Sequence, residues 1–370
     1  MKIIAAALLA MFASSTYAQV VKPQAPTHFC VDERCSSDPV ETEGGLKWHP
    51  GHYMAVDRME STADVRAMHF KQIDAIANEP SVRGIKLAVY WSVLEGAKGD
   101  YSAGFAILDA YLAKLKATNK YLILSVQDRQ FGGYDPSNLS VFFPAYILKE
   151  YGVTKMSYGI ITRAWQAGTM DRLIALSRAY AARYDGHPNF EMFQSEETSV
   201  GVANSVDGYS PAAYETQLRR FIADARKSWP HTQVRLNANF LGADSVMASL
   251  IDYSATYNTA VGGPDTIPDQ TIQANRLFSG TTGDKDYRGV LPFVSEVQSP
   301  SLGGKEGTFT AAQLFTHAMK EVRPSYFVWV RNTYQGGAAQ KWDTGLLPYI
   351  RSIKGSINST CPSKLTCSPN

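Results

Sequence analysis

The chain has 370 residues, a formal net charge of +2, 45% hydrophobic residues and 19% charged residues. This composition is that of a soluble globular protein, and so small a net charge gives no support for a nucleic-acid partner. A length of 370 residues exceeds one ordinary domain but is normal for an α/β barrel with long loops.

The first 18 residues have the layout of a secretory signal peptide. Lys2 precedes an apolar run that extends through Phe12, and small residues lead to Tyr17 and Ala18. The apolar run is too short to span a membrane comfortably. The sequence therefore predicts cleavage after Ala18 and a mature protein that is secreted or periplasmic, with no membrane attachment.

The four cysteines occur as two close pairs, Cys30 with Cys35 and Cys361 with Cys367. In an oxidising compartment each pair is expected to form a local disulfide near one end of the chain. The pairs lack the CxxC pattern and the histidine partners of a zinc site, and the seven histidines are scattered without metal spacing. We therefore expect neither a metal nor a cofactor.

Between a polar leader (residues 19–48) and a short tail (residues 359–370), short apolar runs alternate with amphipathic stretches, a pattern typical of βα units. Eight apolar runs predict strands: Gly51–Asp57, Gly84–Trp91, Tyr121–Gln127, the run beginning at Asn189, Gln233–Phe240, Tyr253–Val261, Leu291–Gln298 and Tyr326–Asn332. The stretches between and after them predict helices: Ala63–Asn78, Ala103–Thr118, Thr169–Tyr184, Pro211–Ser228, Ala243–Leu250, Asp269–Phe278, Thr310–Val322 and Thr344–Ile357.

Eight consecutive βα units predict a single-domain (β/α)8 TIM barrel over residues 49–358. A doubly wound sheet is the alternative, and that fold usually has a glycine-rich turn after its first strand. Here the first strand ends in AVDRMEST, which contains no glycine. The barrel is therefore favoured.

Active sites of such barrels lie at the carboxyl ends of the strands, so polar residues there are the candidates. Glu196 and Glu197 end strand four, and Glu296 lies in strand seven on the opposite side of the barrel mouth. A buried carboxylate is costly unless it is paired or used. Two carboxyl groups that face each other across a cleft suit the hydrolysis of a glycosidic bond.

The segment VYWSVLEGAKGDYS, at the end of strand two, has a Trp, an acidic residue and a Gly-x-Tyr before a helix. With the glutamates of strands four and seven and Trp329 in strand eight, this order resembles the retaining (β/α)8 glycoside hydrolases of clan GH-A. That clan includes cellulases, mannanases and β-galactosidases; the chain is family 5-like, with no individual family assigned. The resemblance implies that Glu296 is the nucleophile and that Trp329 lies under the sugar ring.

The clan usually has an Asn immediately before the strand-four Glu, whereas this chain has Ser195, Glu196 and Glu197. Either glutamate could therefore be the acid/base. A like charge beside a carboxyl group raises its pKa, which suits a general acid near neutral pH. The alternative for Glu296 is a salt bridge to Arg331 or Arg129.

The remaining candidates for contact with the sugar lie at or near strand ends. Asn237 and Asn239 could bind sugar hydroxyls or be structural, Tyr257 could donate to the nucleophile, and His52 could contact substrate or be structural. The other candidates at the mouth are Trp91, Asp128, Gln298 and Arg331.

The long loop from Asp128 to Trp165 is rich in aromatic residues. It could line subsites of an endo-acting cleft or form a self-packed cap. The sequence predicts a monomeric retaining glycosidase acting on a polysaccharide or oligosaccharide, with its two carboxyl groups about 5–5.5 Å apart. The alternative function is a non-catalytic carbohydrate-binding barrel.

Overall fold

A computed structural model describes residues 45–241, 244–268, 285–304, 307–331 and 337–368. The predicted signal peptide, the Cys30 and Cys35 pair, and the predicted helix Asp269–Phe278 lie outside these ranges. Within them, eight parallel strands form a closed barrel in which each strand pairs with the next and the last pairs with the first. They are β1 Gly51–Ala55, β2 Val82–Tyr90, β3 Tyr121–Gln127, β4 Phe190–Ser195, β5 Gln233–Asn237, β6 Ala260–Gly263, β7 Phe293–Val297 and β8 Tyr326–Val330. The predicted (β/α)8 barrel is confirmed.

Helices lie between the strands and cover the outside of the barrel. Their bounds are α1 Ala63–Ala75, α2 Trp91–Leu94, α3 Ser102–Ala117, α4 Ala145–Glu150, α5 Ala167–Tyr184, α6 Pro211–Ser228, α7 Asp244–Thr256, α8 Ala311–Glu321 and α9 Leu347–Ser352. Several begin at side chains that cap them: Ser210 accepts from the Ala213 N–H before α6, and Thr310 and Gln313 form a capping box at α8. No helix in the described part of the chain is both long and apolar enough to cross a membrane.

The prediction for strand six was wrong in position. Residues Tyr253 to Thr256 end helix α7, because the buried residues Met247, Leu250, Ile251 and Ala255 have helical spacing. The helix stops just before Asn258, which has a left-handed φ of 53°. Strand β6 begins only at Ala260, so Tyr257 precedes it at the amino-terminal end of the barrel, away from the predicted site.

The loop after β3 has secondary structure of its own. Arg129–Phe131, Val153–Met156 and Gly159–Thr162 form a three-stranded antiparallel sheet, and α4 lies within the loop. Some of its aromatic side chains are buried, such as Phe143 and Trp165, whereas Phe131 and Tyr158 are exposed. The inner part of the loop is therefore a self-packed cap.

The amino-terminal end of the barrel is closed by both flanking segments. Leu46–Lys47, predicted as part of an irregular leader, pairs with Cys367–Ser368 as a two-stranded parallel sheet. Trp48 packs with Tyr53 and Val328 in the apolar cluster of the barrel interior. The predicted disulfide between Cys361 and Cys367 is confirmed, with an S–S distance of 2.03 Å. A short antiparallel pair, Leu302–Gly304 with Gly307–Thr308, follows β7.

Candidate active site

The barrel interior changes from apolar to charged along the strands. Near the amino-terminal ends of the strands, which we call the floor of the barrel, the inward side chains include Tyr53, Ile123 and Val294. Toward the carboxyl ends they are polar and hydrogen-bonded to one another. We call this polar group the mouth cluster: Lys86, Gln127, Gln194, Glu196, Glu197, Arg235, Asn237, Asn239 and Glu296.

Glu296 is the carboxylate of β7 and is 4% exposed. The Lys86 Nζ donates to its Oε2 at 2.6 Å, and the Arg235 Nη1 donates to its Oε1. Burial by itself would raise the pKa of Glu296, but the charges of Lys86 and Arg235 hold it below its ordinary value. Glu296 is therefore an anion at neutral pH.

The alternative for Glu296, a salt bridge to Arg331 or Arg129, was wrong in its partners, which are Lys86 and Arg235. Arg331 instead pairs with Asp57 at 3.3 Å and with Asp343 at 3.4 Å. Arg129 pairs with Asp128 at 2.9 Å. Asp128 also accepts from the Thr162 hydroxyl at 3.4 Å, so its carboxylate is engaged beside the cap.

Glu196 and Glu197 follow β4 and are 9% and 8% exposed. Glu196 accepts from the Gln127 side chain, from the Glu197 N–H at 3.0 Å and from the Asn237 Nδ2 at 3.4 Å. Burial raises the pKa of Glu196, although the charges of Lys86 and Arg129 oppose this effect. Glu296 lies close enough to Glu196 to raise that pKa further.

Glu197, the second of the adjacent glutamates, also has a raised pKa. Its Oε2 accepts from the Asn239 Nδ2 at 2.9 Å. Burial and then the charge of adjacent Glu196 raise the pKa of Glu197 to about 7, against the opposing charge of Arg129. Since the pKa of Glu296 is lowered, the mouth holds two carboxyl groups whose surroundings favour opposite protonation states.

The two asparagines predicted at the end of β5 both lie in the mouth cluster. Asn237 accepts from the Arg235 Nη2 at 2.9 Å and donates to Glu196, whereas Asn239 donates to Glu197. In this structure they hold carboxylates in place. Gln298 follows β7 at the rim and is partly exposed.

Trp329 and His52, predicted to contact substrate, face the helices instead. Neither has any exposed surface; the Trp329 Nε1 donates to the His52 Nδ1 at 2.9 Å, and the His52 ring contacts the Ser356 carbonyl at 3.1 Å. The neighbouring Val328 takes the inward position, and side chains alternate along a strand. Burial lowers the pKa of His52 to about 4, so it is neutral. The prediction that Trp329 contacts the sugar was wrong, and of the two alternatives for His52 the structure supports the structural one.

Trp91 is also a structural residue. It begins helix α2, has no exposed surface, and donates from Nε1 to the Glu95 Oε2 at 2.8 Å. Glu95 also accepts from Tyr146 and Arg172. The prediction that Trp91 contacts substrate was therefore wrong.

Sequence reasoning missed Lys86 and Arg235. Their signal was present, because each is a cation inside an apolar strand, in GIKLAVY and QVRLNAN. A buried charge of this kind is expected only where an oppositely charged or hydrogen-bonding group lies within reach. The partner could not be named, since Lys86 and Glu296 are 210 residues apart.

The fold and the mouth cluster define a class: (β/α)8 barrels with a candidate active site at the carboxyl ends of the strands. No protein-family model matches the sequence, and no curated protein matches it. Similar solved structures include a β-galactosidase from Bacillus circulans sp. alkalophilus, with a TM-score of 0.54 and 12% identity over 84% of this chain. Others are endo-glycoceramidase II from Rhodococcus sp., with a TM-score of 0.52 and 11% identity over 83% of this chain, and GH5_18 from Streptomyces cattleya in complex with GlcNAc, with a TM-score of 0.54 and 13% identity over 84% of this chain.

These likenesses establish a shared fold. The match covers 55% of the β-galactosidase chain and 80% of each of the other two chains.

Proposed function

We propose that this protein is a retaining glycoside hydrolase that acts on β-linked sugars. The observation that carries the proposal is the pair of buried carboxyl groups with opposite pKa changes, Glu197 raised to about 7 and Glu296 lowered. Such a pair supplies a proton donor and an anionic nucleophile at the same pH. The shared fold with a β-galactosidase and an endo-glycoceramidase supports it.

In the proposed reaction, a Glu296 oxygen attacks the anomeric carbon while Glu197 gives its proton to the leaving oxygen. The glycosidic bond breaks, and the sugar is held as an ester of Glu296. Glu197, now a carboxylate, then takes a proton from water as that water attacks the anomeric carbon and releases Glu296. Glu196 acts on Glu197 through its charge.

The test is incubation of the purified protein with β-glucans, mannans, xylans, galactans and aryl β-glycosides. Glu296→Gln is expected to lose at least about a thousand-fold in rate, because it can neither form the ester nor stabilise positive charge at the anomeric carbon. The control is Glu215→Gln, which removes a partly buried carboxylate that pairs with Arg219 on helix α6. Hydrolysis that survives Glu296→Gln would refute the nucleophile assignment.

A second candidate function is a barrel that binds carbohydrate without cleaving it. It is favoured by one observation, that Lys86 and Arg235 bond to both oxygens of Glu296, as in a structural ion pair. Binding of a polysaccharide without hydrolysis, unchanged in Glu296→Gln, would support this function.

We also propose that the protein is exported. The amino-terminal pattern and the Cys361–Cys367 disulfide support this proposal. Expression of the full chain in a bacterium with a periplasm, followed by amino-terminal sequencing, is expected to give a protein that begins at Gln19. A cytoplasmic protein that retains Met1 would contradict it.

A further inference from the structure

Arg235 is a buried cation at the centre of the mouth cluster. Its side chain has no exposed surface and extends from β5 into the barrel. One terminal nitrogen, Nη1, donates to Glu296 and to the Gln194 Oε1 at 2.9 Å. The other, Nη2, donates to the Asn237 Oδ1 at 2.9 Å and to the Gly263 carbonyl at 3.1 Å. Four acceptors therefore fix the plane of the guanidinium group.

Arg235 reaches Glu296 because the intervening strand leaves room for it. Strand β6 lies between β5 and β7, and its inward positions are Ala260 and Gly262. A Cβ atom on Gly262 would lie 2.0 Å from the Val294 carbonyl oxygen, so no side chain fits there. The guanidinium group thus crosses a strand that offers no inward polar side chain and bonds to its Gly263 carbonyl on the way.

We propose that Arg235 is a positioning residue for the reaction, which orients the Glu296 carboxylate and connects it through Asn237 to Glu196. This inference rests on the proposed function, since it assigns the residue that prepares the nucleophile. Lys86 supplies a second charge, but an ammonium group on a flexible stem fixes an orientation less well than a guanidinium fork does.

The charged groups that face Glu296 are Lys86 from β2, Arg235 from β5 and Glu196 from the end of β4. The inward positions of β6 and β8 beside it, Gly262 and Val328, carry no charge. Lys86 and Arg235 keep the pKa of Glu296 low, so losing one of them raises this pKa. Because the reaction needs ionised Glu296, the acidic limb of the pH–rate profile then moves to higher pH.

The experiment compares Arg235→Gln and Arg235→Lys with the wild type, on the aryl β-glycoside that the wild type hydrolyses best. Arg235→Gln is expected to lower kcat/KM roughly 100-fold, as for loss of one preorganised donor. It should also move the acidic limb up by about one pH unit. Arg235→Lys retains the charge and is expected to keep the acidic limb near its wild-type position while kcat falls.

The control is Arg226→Gln, which removes an equally buried arginine from helix α6. It is expected to change thermal stability and leave the acidic limb in place. If Arg235→Gln does not fold, Arg235→Ala with added methylguanidine replaces it, and recovery of kcat by this small cation is expected. An unmoved acidic limb in folded Arg235→Gln, or no recovery in folded Arg235→Ala, would overturn the inference.

A measurement independent of turnover separates this inference from the proposed function. Infrared difference spectra between each protein and its Glu296→Gln version report the titration of the Glu296 carboxylate. If the wild-type protein has no hydrolytic activity, the hydrolase proposal is refuted. If the Glu296 titration nevertheless moves to higher pH in Arg235→Gln, the role of Arg235 in holding Glu296 is retained. A titration that does not move would overturn that role, whether or not the protein is active.

Discussion

The two ends of the barrel both bury carboxylates, but they surround them differently. At the floor, Glu191 has no exposed surface and accepts from the His49 N–H at 2.9 Å, the His49 ring at 2.6 Å and the Tyr326 hydroxyl at 2.6 Å. Burial would raise the pKa of Glu191, but these donors hold it below its ordinary value. At the mouth, Glu197 accepts from Asn239 and lies beside Glu196, and its pKa is about 7.

The difference shows that burial alone does not make a carboxylate reactive. A buried anion with several matched donors is a stable part of the fold, because the donors replace water. A buried carboxyl group beside another acid is instead ready to hold a proton. The hydrogen bonds to Glu191 at the floor therefore stabilise the fold. The adjacent carboxyl groups at the mouth are in a less favourable arrangement, which suits proton transfer.

Among the variants that test this comparison of the two ends, Glu197→Gln is expected to have the largest effect, a loss in the rate of hydrolysis. Loss of the proton donor should slow hydrolysis of substrates with a poor leaving group roughly 10²- to 10⁴-fold, with less effect on activated aryl glycosides. In the wild type, activity should fall as pH rises through about 7, because Glu197 then loses its proton. This basic limb should be absent from the variant, as measured by kcat/KM against pH.

The matched variant Glu196→Gln removes the neighbouring charge. It is expected to lower the pKa of Glu197 and move the basic limb to lower pH. Full activity in Glu197→Gln with loss of activity in Glu196→Gln would assign the acid/base role to Glu196.

Glu191→Gln should have the opposite result at the floor, with lower stability and an unchanged rate per folded molecule. Breaking this buried network is expected to cost about 3 kcal/mol in the free energy of unfolding, measured in urea. Because the folded pKa of Glu191 is lowered, its contribution is present above the ordinary glutamate pKa and is lost as pH falls through the folded value. The difference in the free energy of unfolding between wild type and Glu191→Gln should therefore become smaller in acid. A difference that does not change with pH would contradict the role assigned to Glu191 at the floor.

Glu197→Gln should also change stability, in the favourable direction. A folded pKa of about 7 against an ordinary 4.5 means that folding is penalised when Glu197 is ionised. The penalty is at most about 3 kcal/mol, so the variant should be more stable than wild type at pH 8 by up to this amount. This gain in the free energy of unfolding should decline as pH falls through 7 and vanish near pH 4. Urea unfolding at three pH values tests this, and a less stable variant at pH 8 would contradict it.

Removal of the disulfide at the floor should have a smaller effect. Cys361 and Cys367 are six residues apart, and a loop this short predicts a loss of about 2 kcal/mol in Cys361→Ala/Cys367→Ala. The melting temperature should fall while kcat/KM at low temperature stays constant. A change in kcat/KM would show that the two ends of the barrel are coupled.

The smallest expected effect is that of Trp329→Phe. The variant loses the hydrogen bond to His52, which is expected to cost about 1 kcal/mol. KM should not change, since Trp329 faces the helices. A raised KM with unchanged stability would restore the sequence prediction that Trp329 lies under the sugar.

Local pattern by itself determined much of the architecture. The predicted bounds of β3, Tyr121–Gln127, and of α6, Pro211–Ser228, match the structure. Apolar periodicity and helix caps act over a few residues, so the sequence can report them directly. The same is true of the Cys361–Cys367 disulfide and of the placement of Glu196, Glu197 and Glu296 near strand ends.

Only the tertiary structure decided where side chains point and which groups they meet. Adjacent residues of a strand point in opposite directions, so Trp329 and His52 face outward while their neighbours Val328 and Tyr53 face inward. The lowered pKa of Glu296 depends on Lys86 and Arg235, which come from other strands. The raised pKa of Glu197 depends on its burial as well as on the neighbour visible in the sequence. Burial and contacts between distant strands exist only once the barrel has closed. The sequence could therefore identify the candidate glutamates, but their pKa values depend on the tertiary structure.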